Sequence, residues 1–320
     1  MGKIQLRNFE ILLDSNKRTF ELGENVMGKC VIALEGELQL SMIRMQLIGL
    51  AEVKWTENKG SGNHRRNRTF YESIPYLQMD YDFVRNTFNG MITKGIHEFP
   101  FCYELPKEGI PSTFDGYHGS VKYWIEAEIE KPLFSFNHKT KTEFEVEAPL
   151  VCDNLMLPLG VSSEKKIGFL WQKSGVINVD VNIDRHGYYP GELISVNCNI
   201  ANKSAARISP RATLKQTQTF TAKGKHKIKE TKYVRVEALP VEPGLTNVET
   251  LQVPIPANIQ LSTDCPIISV TYDLHLTAEI PSALNLHVDL PVIITKQNVM
   301  NSSKAYSSEP ANRDLLYVQI

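Results

Sequence analysis

Lys223-Gly224-Lys225-His226-Lys227-Ile228-Lys229 puts four lysines into seven residues, with Lys232 and Arg235 close behind. Lysine at that density attracts phosphate and carboxylate. Near an anionic membrane each residue contributes about 1 kcal/mol, falling off within about 10 Å. Glu230 and Glu237 dilute the charge, so a solvated hairpin whose lysines protect a strand edge is the competing reading. A second cationic cluster, His64-Arg65-Arg66-Asn67-Arg68, sits in a Gly- and Asn-rich stretch that reads as an exposed loop. Arg65, Arg66 and Arg68 are candidate contacts for an anionic headgroup or a phosphorylated partner, or simply loop surface.

The chain closes on Leu315-Leu316-Tyr317-Val318-Gln319-Ile320. Tyr317 and Ile320 fit the Tyr-x-x-apolar pattern that clathrin adaptors take as an added strand. Val318 and Ile320, with a free carboxylate, fit a PDZ ligand. Short patterns match by chance often. Two other readings stay open: a strand folded back onto a sheet edge of its own domain, or no role.

Catalytic chemistry finds no foothold. The sequence holds no H-E-x-x-H, G-x-S-x-G, Walker A or C-x-x-C pattern. His97 and Glu98 are adjacent on an alternating stretch, which sends their side chains to opposite faces. Asp115 and His118 flank Gly116 and read as turn chemistry. The reading is non-enzymatic, with no cofactor and no metal. The 35 Lys+Arg and 36 Asp+Glu nearly balance, which offers no argument for nucleic acid. No apolar run reaches the length of about 18 residues of a membrane span. Residues 1–7 lack a signal core, and Leu6 stands where myristoylation favours Ser or Thr. Five scattered cysteines read as reduced and mostly buried, so the expected setting is cytoplasmic.

The positioning elements are strands. After Tyr189-Pro190-Gly191-Glu192, a turn signal, Ile194, Val196, Cys198 and Ile200 alternate with polar neighbours. Leu22-Gly23-Glu24 followed by Val26, Cys30 and Ile32 echoes it. Val121 to Ile129 and Val270 to Ala278 form a second echo in the same order. One β-domain plan used twice predicts an all-β chain: two tandem immunoglobulin-like β-sandwiches over 1–150 and 176–296. Residues 151–175 read as a connector. Residues 297–320, rich in Asn, Ser, Lys and Glu, read as a flexible, disordered C-terminal tail.

Several stretches resemble the arrestin-domain-containing proteins, the α-arrestins. In the first half they are Val53-Lys54-Trp55-Thr56-Glu57, Phe101 to Pro106, and Pro111 to Trp124. In the second they are Gly187 to Glu192, Gln216 to Lys225, Asp264 to Ile268, and Leu290 to Ile294. Singly each is weak; in this order, across about residues 1–296, they are specific. The resemblance implies an arrestin fold and a cytosolic adaptor that grips membrane-protein cargo at the plasma membrane or endosomes. It implies a role in endocytosis, sorting or ubiquitin-linked turnover. The chain has no Pro-Pro, hence no Pro-Pro-x-Tyr motif, so a ubiquitin ligase would be reached only indirectly. Asp264 to Asp289 is short and β-like, without the charged loop through which visual and β-arrestins sense phosphate. A structural coat or scaffold subunit, like the arrestin-like subunit of retromer, is the alternative. A carbohydrate-binding sandwich ranks last, because Trp55, Trp124 and Trp171 are dispersed.

Overall fold

A computed structural model describes residues 6–14, 17–59, 66–82, 90–131, 137–152, 154–169, 172–306 and 316–319. The chain divides into two units. The first runs through Ala148 and takes in Phe220–Lys227 and Cys265–Ile268. The second takes in Pro149–Thr219, Ile228–Asp264 and the chain from Ser269 on.

The first unit's strands are β1 (Leu6–Leu13), β2 (Thr19–Glu21), β3 (Asn25–Leu34), β4 (Leu38–Gln39), β5 (Met42–Lys59), β6 (Arg66–Asp82), β7 (Met91–Ile92), β8 (Gly95–Glu104), β9 (Phe114–Asp115), β10 (Gly119–Glu130) and β11 (His138–Glu147). One sheet runs β1-β3-β8 and the other β2-β11-β10-β5-β6, with β9 beside β10 and β4 paired to β7. Alternation builds the core: on β10, Val121, Tyr123, Ile125, Ala127 and Ile129 are all buried. Side chains two apart share a sheet face, so these five line the inner face together. The β5 backbone passes close to that row. A Cβ on Gly49 would lie 2.5 Å from the Tyr123 ring, so only glycine fits opposite it.

In chain order follow β12 (Leu159–Phe169), β13 (Gln172–Ile183), β14 (Gly187–Tyr188), β15 (Leu193–Asn202), β16 (Ser209–Ala222), β17 (Lys225–Glu237), β18 (Thr246–Pro254), β19 (Thr263–Cys265), β20 (Ile268–Glu279), β21 (Leu286–Ile294), α1 (Gln297–Tyr306) and β22 (Leu316–Gln319). The sheets run β18-β15-β13-β12-β22 and β14-β21-β20-β16-β17, with β19 beside β20. Ile194, Val196, Cys198 and Ile200 are buried, as the alternation after Pro190-Gly191 requires. The all-β, tandem-sandwich architecture is therefore present.

The two sequence echoes are echoes of hydrogen bonding. Gly23 and Gly191 both take positive φ, 77° and 87°. Glu24 N donates to Glu21 O, and Glu192 N to Tyr189 O. Each glutamate carboxylate then accepts a backbone N–H from three residues back, from Glu21 at 2.7 Å and Tyr189 at 3.1 Å. In each turn a cation seven residues before the glutamate pairs with it and lies over an aromatic ring: Lys17 over Phe20, Arg185 over Tyr188. The second echo is a pair of tyrosine corners. Tyr123 Oη donates to Pro111 O and Tyr272 Oη to Gln260 O, both at 2.6 Å and both across twelve residues.

Two stretches carry more regular structure than their composition suggests. The segment 151–175, read as a connector, holds β12 and the start of β13. Leu159 and Val161 are buried there, a two-residue alternation too brief to stand out after Pro158. The segment 297–320, read as a flexible tail, holds α1 and β22. Met300 of α1 is fully buried. It packs against Gly187 so closely that a Cβ there would meet its sulfur at 2.7 Å. Met300, beside half-buried Val299, anchors the helix because a glycine leaves its side chain a socket.

Candidate functional site

The basic run forms a tight hairpin. Lys223 and Gly224 both take positive φ, 51° and 67°, a two-residue turn whose twist suits paired strands. Lys225, Lys227 and Lys229 then fall on one face of β17, because alternate residues share a face. The strand begins at Lys225, inside the lysine run itself, where charged residues carry no apolar alternation to mark it.

The hairpin's charge is partly answered. Lys227 Nζ lies 3.9 Å from Glu57 Oε1, and the Lys223 backbone N–H donates to Glu72 Oε2 at 3.3 Å. Trp55 Nε1 donates to the same Glu57 carboxylate at 3.1 Å. Arg68 stands opposite Glu57 in the β5–β6 register. Its guanidinium lies 4.9 Å over Phe70, which stacks on Trp55. Lys227, read from sequence as a member of a separate cluster, thus pairs with the β5 glutamate whose β6 register partner is Arg68, within the first unit. Arg66 and Arg68 are exposed and strand-borne rather than loop-borne; Arg65 lies outside the described residues.

The C-terminal pattern is held as a strand. β22 pairs in parallel with β12: Leu159 with Leu316, Gly160 with Tyr317, Val161 with Val318, Ser162 with Gln319. Tyr317 and Val318 therefore sit in a backbone ladder of the second unit; Ile320 lies outside the described residues. Of the readings open for this segment, the pairing matches the strand folded back on its own domain.

Among the described residues, no group of three or more His, Cys, Asp and Glu side chains has the arrangement to hold a metal ion. Cys30 and Cys198, equivalent in the two echoes, are buried. Desolvation pushes both thiols up to about 12, with Glu249 adding to the effect on Cys198. Neither is a nucleophile near neutral pH. No described helix is long and apolar enough to cross a membrane.

His275 and His287 carry no motif, being twelve residues apart, but the β20–β21 register sets His275 opposite Asp289 and Thr277 opposite His287. The two imidazoles become diagonal neighbours on one sheet face. Only the register places them together, and sequence spacing alone carries no trace of it.

Two sandwiches with matching glutamate turns and tyrosine corners define a protein of the arrestin fold. The family pattern "Arrestin (or S-antigen), N-terminal domain" matches residues 9–152 and "Arrestin (or S-antigen), C-terminal domain" matches 173–299. The chain is 30% identical to human "Arrestin domain-containing protein 4" over 293 residues, covering 88% of this chain and 69% of the relative. It is 24% identical to human "Thioredoxin-interacting protein" over 323 residues, covering 99% of this chain and 81% of the relative. The chain belongs to the arrestin family, on its α-arrestin branch, and an adaptor-like role follows from that membership.

Proposed function

We propose that this chain is a non-enzymatic adaptor that binds membrane-protein cargo and directs its endocytosis, sorting or ubiquitin-linked turnover. The carrying observation is that both family domains are present in one chain with a lysine hairpin, Lys223 to Lys229, on which Lys223 and Lys225 are exposed and Lys227 and Lys229 half-buried. Lys223, Lys225, Lys227 and Lys229, with Arg65, Arg66 and Arg68, are the proposed contacts for phosphorylated cargo or anionic lipid. Glu57 holds the Lys227 charge in place and Glu72 holds the Lys223 backbone, so not all of the hairpin is left to a partner. Tyr317, Val318 and Ile320 are the proposed docking segment for a clathrin adaptor or PDZ protein, and such docking requires β22 to leave the β12 edge. A ubiquitin ligase would be reached through a bridging protein. The working place is the cytoplasmic side of the plasma membrane or endosomes.

The test is co-purification from cells of the chain beside a version ending after Tyr306, which keeps Met300 and removes β22. A third version carries glutamate at Lys223, Lys225, Lys227 and Lys229. Transmembrane cargo that is recovered with the chain and lost with the glutamate set supports the reading. Coat proteins lost on truncation assign the tail its docking role. Recovery of neither cargo nor coat components by the intact chain overturns the adaptor reading. Stoichiometric recovery in one stable complex favours the scaffold alternative instead.

A further inference from the structure

The outer face of the β20–β21 hairpin carries a chain of titratable groups that adaptor binding does not call on. His275 Nδ1 lies 2.7 Å from Asp289 Oδ1. His275 Nε2 lies 3.2 Å from His287 Nδ1, and the rings stack at 5.1 Å between centroids, 18° apart. Thr277 Oγ1, 2% exposed as a residue, lies 3.3 Å from the same His287 nitrogen. The chain is therefore carboxylate, imidazole, imidazole, hydroxyl, strung diagonally across two strands.

Proton counting limits this chain. Two ring nitrogens 3.2 Å apart hold one proton between them. With both rings neutral, His275 donates Nδ1–H to Asp289 and accepts at Nε2 from His287. The first added proton makes His275 an imidazolium, flanked by Asp289 and donating Nε2–H to His287 Nδ1. A second proton leaves two donors facing each other on two stacked cations. No acceptor then remains between the rings, and the nearest other acceptor for His287 Nδ1 is Thr277 Oγ1.

We propose that the His275–His287 pair is an acid-operated latch on the β20–β21 hairpin: the second proton breaks the cross-strand contact and releases His287 from the sheet face. The surroundings favour the latched form at neutral pH. His287 is exposed at the surface, yet partial desolvation of its ring first, then His275, Lys165 of β12 and Arg211 of β16, hold it below the usual imidazole range, against an upward pull from Asp289. Lys215 of β16 lies 3.8 Å from Asp289 and 3.9 Å from Asp273, which keeps Asp289's charge shared rather than given wholly to His275. Asp273 is itself raised, by burial first and then by Asp289 and Glu230 of β17, against Lys215 and His275. At the hairpin's far end Glu279 pairs with Arg211, which Arg235 and Glu237 of β17 also face. Because His287's folded value is depressed, its contribution to stability is present above the unfolded value of about 6.5 and is lost as pH falls through the folded one. The latch therefore opens on acidification.

The experiment uses the full chain with ¹³C-labelled histidine, titrated by NMR from pH 8 to 5, alongside amide exchange of Leu286–Leu290 corrected for intrinsic rate. His287 is expected to half-protonate below the usual imidazole range, and β21 amides to exchange about tenfold faster at pH 5 than at pH 7.5. In His275→Gln the His287 titration should move back toward that of a free imidazole, and the pH dependence of β21 exchange should collapse. Titration of His287 within the usual imidazole range in the unaltered chain overturns the latch, as does unchanged β21 pH dependence in His275→Gln. The titration of the unaltered chain decides the matter even if the variant folds poorly.

Discussion

The Lys17–Phe20–Glu24 turn and the Arg185–Tyr188–Glu192 turn are the same device at two depths. Spacing, glycine conformation, backbone capping and cation-over-ring geometry match. Yet the first ion pair is 43% and 38% exposed and the second 15% and 14%. Beside the first lies an open cavity of about 250 Å³ lined by Asp14, Lys17, Phe20, Glu24, Asn25 and Met27. Arginine suits the deeper site, since its planar fork can serve a carboxylate and stack on a ring at once. Tyrosine adds a bond that phenylalanine lacks: Tyr188 Oη donates to Asp184 at 2.8 Å. A motif's geometry can thus repeat while its energetic weight does not.

The tyrosine corners differ in the same sense. Tyr123 packs its ring on Gly49 and donates one hydrogen bond. Tyr272 donates to Gln260 O and also accepts from Gln216 Nε2 at 2.5 Å. Gln218 in turn reaches Gln216 Oε1 at 3.1 Å. One unit fills the space around its corner with ring against backbone, the other with a buried amide network.

The largest contrast should come from the cations of the two turns. Arg185→Ala leaves Glu192 charged in a poorly solvated site and should cost about 2–3 kcal/mol. Lys17→Ala should cost at most about 1 kcal/mol, because solvent screens the exposed pair. Urea unfolding read by hydrogen exchange in each unit separately measures both, since a chain of two units need not unfold in one step. Equal losses would show that burial does not separate the turns.

Next in size are the corners. Tyr272→Phe strands Gln260 O and takes one acceptor from Gln216, which keeps Tyr233, and should cost about 1–3 kcal/mol, against about 1 kcal/mol for Tyr123→Phe. A larger loss at Tyr123 would reverse the ranking of the two networks. The smallest contrast is an expected equality at the paired cysteines. Cys30 and Cys198 should resist a thiol reagent alike at pH 8 while exposed Cys102 reacts. Their neutral thiols support the fold fully below about pH 8.5, and that support is lost as pH climbs toward 12. Labelling of either one before unfolding would mark its unit as the looser.

Much of this was legible in the chain itself. Alternation placed Ile194, Val196, Cys198 and Ile200 inward, and Pro190-Gly191-Glu192 matched against Gly23-Glu24 announced a duplicated sandwich. Both signals are local: a period of two and a glycine that must take positive φ. The candidate cations were legible as residues but not as a surface. That Lys227 meets Glu57, the register partner of Arg68, depends on which strands meet, and no spacing encodes it.

Three features were decided only in three dimensions. Met300 anchors α1 because Gly187, more than a hundred residues earlier, leaves it room. Leu316–Gln319 pair with the β12 edge because that edge offers unpaired backbone groups, which any extended segment of suitable register satisfies. His275 and His287 meet because antiparallel pairing brings residues twelve apart onto one face. Residue types and local periods determine which elements form and which side faces the core. Which distant groups then touch is set by register and packing, and with it the weight each polar contact carries.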